Sequence, residues 1–221
     1  NGNSDAMMHY AQMLENGNGI KMNIYEAIHY YKMAIEKGNA KAMFHYANLL
    51  ENRIGTENSI IEAIKNYKKA IDKGNIDAMF NYALIFLNTE EVDDEMYKSI
   101  EEIINYYKMY IEKGDSNAMT QYGYLVECGI DSENDIEQSI EYYKMAIDKG
   151  NTTAMLYYAI LLYNHDEIPD NYVESYKYFQ MAIKGGNVDA MYSYASILSD
   201  FNSIFYDTKL AKEYYKMAAD N

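Results

Sequence analysis

Residues 30–50 read "YYKMAIEKGNAKAMFHYANLL", and close variants of this phrase recur along the chain. Its central Gly-Asn is one of six Gly-Asn or Gly-Asp pairs, at Gly2, Gly38, Gly74, Gly114, Gly150 and Gly186. The intervals are 36, 36, 40, 36 and 36 residues, so six units fill the 221-residue sequence. Self-similarity at such a period marks a repeat architecture, in which one supersecondary unit stacks on the next. Four residues after each glycine stands Ala (Ala6, Ala42, Ala78, Ala118, Ala154, Ala190), and Met always follows it. Eight after each glycine stands Tyr (Tyr10, Tyr46, Tyr82, Tyr122, Tyr158, Tyr194), followed by Ala five times and by Gly123 once. Ala42, Tyr46 and Leu50 fall at i, i+4 and i+8, one face of a helix. This first helix of each unit is helix A.

The second, helix B, starts fifteen residues before the next boundary, at Asn23, Ser59, Ser99, Asp135, Asn171 and Asp207. Each can accept from a first-turn N–H as an N-cap. Glu26, Glu62, Glu102, Gln138 and Glu174 three residues on complete a capping box, which Leu210 breaks. Helix B ends at the glycine, which takes a left-handed conformation without a Cβ penalty, and the Asn or Asp after it caps the next helix A. The Gly-Asn pair is therefore a joint, and the units run over about 2–37, 38–73, 74–113, 114–149, 150–185 and 186–221. Unit three carries four extra residues in its A–B connection, "NTEEVDDEMYK" (88–98), together with Ile103 and Tyr110 where Ala is commonest. The acids of that connection lack the ligand spacing and glycine of an EF-hand and read as a solvated loop.

Composition bounds the partners. Thirty-four acidic against 19 basic residues give a net charge of −15, which disfavours nucleic acid and anionic membranes and favours a basic peptide. No stretch approaches the roughly 18 apolar residues of a membrane span. The first ten residues, "NGNSDAMMHY", lack the basic and apolar regions of a signal peptide. A single cysteine, Cys128, fits a cytoplasmic, reducing compartment, while the sequon Asn151-Thr152-Thr153 leaves the endoplasmic-reticulum lumen open.

The repeat resembles the Sel-1-like repeat, a relative of the tetratricopeptide repeat. The early Ala of helix A matches throughout. Tyr-Ala replaces the family's Leu-Gly, with Gly123 retaining the glycine, and "NGNGI" (16–20) matches its loop. Its helix B aromatic pair appears as Tyr30-Tyr31, Tyr106-Tyr107, Tyr142-Tyr143, Tyr178-Phe179 and Tyr214-Tyr215; unit two has Asn66-Tyr67. The resemblance covers the whole chain. It implies an all-α fold: a right-handed α-solenoid of six antiparallel helix pairs, forming a single domain. Asn1 and Asn221 stand at the same repeat phase, with no polar capping helix at either end. We therefore expect a segment of a longer array, or self-association end to end.

Function in a solenoid sits on variable positions of the concave face, which the tetratricopeptide analogy assigns to helix A. There Phe44, Phe80, Leu84, Leu87, Tyr124, Leu156, Ile160 and Tyr163 form a candidate partner-binding surface, flanked by partly acidic rows such as Glu15, Glu51 and Glu127. The fixed Ala, Met and Tyr read as packing. Catalysis finds no support: there is no phosphate loop, Gly-x-Ser-x-Gly or His-Glu-x-x-His. His9 and His45 share one repeat phase, which reads as repeat echo rather than a metal site. Cys128 reads as a buried thiol. The expectation is a non-enzymatic scaffold or adaptor for a protein or peptide, without cofactor or metal. The resemblance also implies two alternatives: an adaptor of an endoplasmic-reticulum ubiquitin ligase, or the repeat region of a larger enzyme or signalling protein.

Overall fold

The computed structural model describes residues 2–54, 57–89, 94–130, 135–165 and 171–221, with side chains for all of these but 53, 54, 57 and 58. Helix A of successive repeats is α1 (Ser4–Asn16), α3 (Ala40–Leu49), α5 (Ile76–Leu87), α7 (Ser116–Glu127), α9 (Thr152–Asn164) and α11 (Val188–Ser199). Helix B is α2 (Ile24–Glu36), α4 (Glu57–Ile71), α6 (Asp94–Glu112), α8 (Ile136–Asp148), α10 (Asn171–Lys184) and α12 (Thr208–Asp220). A π-helical turn, Leu50–Ile54, extends α3. The described residues contain no strand. This is the all-α array of helix pairs that the spacing implied.

The chain divides into two compact units, Asn1–Ile103 and Ile104–Asn221. In the first, α1 to α5 each pack on the next, and the A helices also meet directly, α1 on α3 and α3 on α5. In the second, α7 to α12 follow the same order, with α7 on α9 and α9 on α11. The fixed letters explain this close approach. Ala42, Ala78, Ala118, Ala154 and Ala190 are fully buried, and so are Tyr31, Tyr67, Tyr107, Tyr143 and Phe179 of helix B. Small residues bring the backbones together, and one aromatic ring per unit fills the remaining space. In α1, the equivalent Tyr10 is 39% exposed.

The joints form as the sequence implied. After α2, Gly38 takes φ 79°; its N–H donates to Ile35 O, and Asn39 N–H reaches back to Ala34 O at 3.2 Å. This is a Schellman closure. Asn39 Oδ1 then accepts from Ala42 N–H at 2.9 Å and starts α3. The same Asn also fastens neighbouring repeats. Asn39 Nδ2 donates to Asp5 Oδ1 at 2.8 Å. Asn151 Nδ2 donates to Ser116 Oγ at 3.2 Å and Asn117 Oδ1 at 3.0 Å.

Helix B starts as expected at three of the six positions. Asn23 accepts from Glu26 N–H, Asp135 from Gln138 N–H, and Asp207 from Lys209 and Leu210 N–H. In unit one the reciprocal half of the capping box is replaced, Asn23 N–H donating to Leu14 O; in unit six, where Leu210 breaks the box, Asp207 N–H likewise donates to Leu198 O. Three caps are corrected. Ser59 lies inside α4, which begins at Glu57. Asn171 is the first residue of α10, and its amide donates to His165 O. Ser99 lies inside α6, whose Oγ donates to Glu95 O one turn back. Part of the extra length in unit three thus becomes helix: α6 has 19 residues where α2 and α8 have 13. Asp94 and Glu95 suit its first turn, facing the positive end of the helix dipole. The acids Glu90, Glu91 and Asp93 lie outside the described residues.

Candidate functional site

Helix A presents its variable positions beside the contacts it makes with the next helix A. Of the eight residues expected on that face, Phe44, Phe80, Leu84, Leu87, Tyr124, Ile160 and Tyr163 are half-buried. Leu156 is 3% exposed and belongs to the core packed around Phe179 and Tyr194. Its side chain is covered, so it is unavailable as a contact.

In the first unit Phe44 lies 5.1 Å from the His45 ring and 6.2 Å from Tyr67, centroid to centroid. In the second unit Tyr124 sits 5.5 Å from Tyr157, and Tyr163 lies 5.9 Å from Phe205. There the structure brings Ile160 and Tyr163 together with Asn164 on α9 and Tyr192, Ser193, Ser196 and Ile197 on α11. They line an open groove of about 270 Å³ between two successive A helices. Tyr192 is 61% exposed at its rim, with its ring edge-to-face on Tyr215. The loop between α11 and α12 also exposes Phe201 and Ile204. Periodicity could not find these two, because the loop carries no repeat phase.

The acidic row beside this face has a different role from the one its position suggested. Tyr31 Oη donates to Glu15 Oε2 at 2.7 Å, Tyr67 to Glu51 at 2.7 Å and Tyr143 to Glu127 at 2.9 Å. These carboxylates, near the C-terminal end of helix A, each hold a buried tyrosine of helix B. Burial, opposed by the Tyr143 hydrogen bond, raises the Glu127 carboxyl above its usual range. Burial and the Glu51 bond likewise push Tyr67 upward. A second row ties the fixed tyrosine of helix A: Tyr46 Oη donates to Glu62 Oε1 at 2.9 Å. Tyr158, beside Glu174, is pushed up to about 12, mainly by burial.

His9 and His45 do meet, but through an amide. His9 Nδ1 lies 3.1 Å from Gln12 Oε1, and Gln12 Nε2 lies 3.0 Å from His45 Nε2. No group of three metal-ligating side chains is found among the described residues. Glu26 accepts from the Asn23 amide, and the ring of His29 rests against Tyr30. Cys128 corrects the expectation of a buried thiol: the residue is exposed. Its thiol is nevertheless pushed up by partial burial, opposed by a hydrogen bond with Tyr124 and reinforced by Glu127. No described helix is long and apolar enough to cross a membrane.

Comparison with known proteins agrees with this architecture. The chain is similar to a Sel1 repeat protein from Oxalobacter formigenes: 24% identity, TM-score 0.64, covering 99% of this chain and 88% of the other. The immunity protein Pa5087 from Pseudomonas aeruginosa is 20% identical with TM-score 0.61, over 98% of this chain and 81% of its own. The protective antigen c5321 of uropathogenic Escherichia coli, which has an SLR fold, is 19% identical with TM-score 0.56, over 99% of this chain and 46% of its own. At these identities the likeness is one of fold. No curated protein matches the chain. The family model described as Sel1 repeat matches residues 4–39, 40–75, 116–151, 152–187 and 188–221. These matches keep the 36-residue period, two residues later in phase than the glycine count, and leave α5 and α6 between the second and third matches. With five matched repeats covering most of its length, the chain belongs to the Sel1 repeat family.

Proposed function

We propose that the protein is a non-enzymatic interaction scaffold that holds a protein or peptide along its helix A face. Sel1 repeats mediate protein interactions, and the finer assignment to this face rests on one observation. That observation is the groove between α9 and α11, where Ile160 and Tyr163 meet Tyr192, Ser196 and Ile197. Apolar floors with aromatic and hydroxyl rims suit an extended peptide or a helix edge, because rings supply contact area and hydroxyls supply adaptable hydrogen bonds. In the first unit, half-buried Phe44, Phe80, Leu84 and Leu87 give its own A helices a similar apolar chemistry. Net charge favours a basic partner.

A non-enzymatic role is supported by how the face uses its ionisable groups. Glu15, Glu51 and Glu127 each accept from a buried tyrosine, and the Cys128 thiol is held up rather than activated. The test is photocrosslinking with benzoylphenylalanine placed at Tyr192, on the A face, or at Tyr25, which is 89% exposed on helix B. A discrete adduct from position 192 and none from 25 is expected. Adducts from 25 alone would overturn the assignment.

A further inference from the structure

Six repeats in one chain provide an internal reference, and unit two departs from it at one place. At the first aromatic position of helix B stand Tyr30, Tyr106, Tyr142, Tyr178 and Tyr214, but unit two has Asn66. Four of those tyrosines lie edge-on against the fixed tyrosine of their own helix A. Tyr30 is 4.7 Å from Tyr10, Tyr142 is 4.9 Å from Tyr122, Tyr178 is 4.8 Å from Tyr158, and Tyr214 is 5.4 Å from Tyr194. Asn66 cannot supply that ring. Its amide turns back to Glu62 O at 2.8 Å. Three residues on, Met33, Met109, Met145, Met181 and Met217 share a phase, and unit two has Lys69 there. Lys65 stands one residue before Asn66, at the phase of His29, Asn105, Glu141, Lys177 and Glu213.

These departures converge on one groove of about 450 Å³ between α2 and α4. Tyr46 and Asn66 form its floor and Ile35 and Ile61 its apolar walls, and its charged lining is Lys32, Lys65 and Lys69 together with Glu36 and Glu62. Ile61 is 61% exposed there. Lys32 is already engaged, 3.7 Å from Glu62 and 5.4 Å over the Tyr46 ring. Lys65 and Lys69, four apart on α4, are exposed and form no ion pair among the described residues. In a chain of charge −15, a lining of three lysines against Glu36 and Glu62, beside exposed aliphatic carbon, is a local reversal of sign. Such a surface selects carboxylates by charge and an apolar side chain by shape.

We propose that the groove between α2 and α4 docks an acidic peptide segment of a partner protein. Its carboxylates meet Lys65 and Lys69, and one apolar side chain rests on Ile35 and Ile61. This surface lies on helix B and does not depend on the helix A reading, so each stands or falls alone.

The test pans a random dodecamer display library against the full chain. Asn66→Tyr, which restores the repeat's ring and fills the groove, serves as the counter-selected protein. Enriched peptides are expected to be net acidic with at least one aliphatic or aromatic residue. A fluorescein-labelled enriched peptide should then lose about tenfold or more in affinity, by anisotropy, to Asn66→Tyr and to Lys65→Glu/Lys69→Glu, and tighten as salt is lowered. Tyr192→Ala on the other face should leave binding unchanged. Circular dichroism confirms folding of each variant, and Lys65→Gln/Lys69→Gln replaces the charge reversal if that protein does not fold. Several results would overturn the proposal: no enrichment, enrichment of neutral or basic peptides, or equal binding to the variants. So would undiminished binding after the peptide's apolar residue is changed to serine, or full displacement by millimolar inorganic phosphate, since either reduces the site to unselective anion binding.

Discussion

Tyr31 lies wholly inside its repeat, and its hydroxyl donates to Glu15, sixteen residues earlier, at 2.7 Å. The pairing recurs where both partners exist and changes where one is missing. Tyr67 finds Glu51 and Tyr143 finds Glu127. In unit three helix A offers Leu87 at this phase, and Tyr107 instead donates to Gln121 at 3.2 Å. In unit five helix A offers Tyr163, and the buried ring is Phe179, with no hydroxyl to satisfy. A buried phenol appears where an acceptor is available, because an orphaned hydroxyl is costly.

Removing the acceptor should therefore cost more than removing its charge. Glu127→Ala strands the Tyr143 hydroxyl and is expected to destabilise by about 1–3 kcal/mol. Glu127→Gln keeps an accepting oxygen and relieves a buried carboxylate, so it should be close to neutral at pH 7. The sign with pH follows from the raised Glu127 pKa, caused first by burial. The folded state prefers the protonated acid, so this group's contribution is most favourable at low pH and is lost as pH rises through its folded value. Urea unfolding at pH 4 and 7 should show Glu127→Gln gaining on the parent as pH rises. A gap independent of pH would contradict it.

Much of this was legible in the sequence. Period, joint and helix faces could be read because Gly38, Asn39, Ala42 and Tyr46 recur at offsets that admit one local structure. The helix B starts at Ser59, Ser99 and Asn171 could not, since the phase that caps at Asn23, Asp135 and Asp207 falls inside or at the head of a longer helix in the other units. Leu156 shows the same limit on the candidate face: its phase matches half-buried Phe44 and Phe80, yet the second unit's core closes over it. The Glu15 row looked like free surface charge because a sixteen-residue hydrogen bond leaves no periodic signature until both helices are placed.

The joint asparagine has two tasks that substitution can separate. Asn151 Oδ1 accepts from Thr153 and Ala154 N–H at 3.0 Å, while its amide reaches Ser116 and Asn117 of the preceding repeat. Asn151→Asp keeps the cap and loses the donor, placing a carboxylate against the Asn117 oxygen. Asn151→Ala loses both, and the cap alone is worth about 0.5–2 kcal/mol. The expected order of urea midpoints is parent, then Asp, then Ala. If Asp matches the parent, the inter-repeat bond contributes nothing.

Gly123 stands where every other unit has alanine, and the room it leaves is used. A Cβ there would lie 3.0 Å from Tyr143 Cε1, 3.1 Å from Cδ1 and 3.2 Å from Tyr142 Cβ. Tyr143 is fully buried and anchored at Glu127, so its ring has little freedom to give way. Helix propensity favours Gly123→Ala by about 1 kcal/mol, and overpacking of this kind costs about 1–3 kcal/mol. The clash should win. Gly123→Ala is expected to lower the midpoint, and Gly123→Ala with Tyr143→Leu, which removes the crowded ring, should recover part of the loss. A stabilised single variant would show that the ring moves freely.

His45 gives the first unit a dependence on mild acid. Its pKa is lowered first by burial, then by His9 and Lys41, against an opposing contribution from Asp77. Its Nε2 also faces the Gln12 side chain at 3.0 Å, and Gln12 in turn faces His9. A folded pKa below the unfolded 6.5 means that the unfolded chain binds the extra proton first. The stabilisation is therefore present above pH 6.5 and is lost as pH falls through the lower folded value. His45→Gln removes the titrating ring and keeps a polar partner. Its urea midpoint, compared with the parent between pH 7.5 and pH 5, should fall less steeply. An unchanged slope would show that His45 carries none of the acid sensitivity, and an NMR titration of its ring protons would then have to return the unperturbed value.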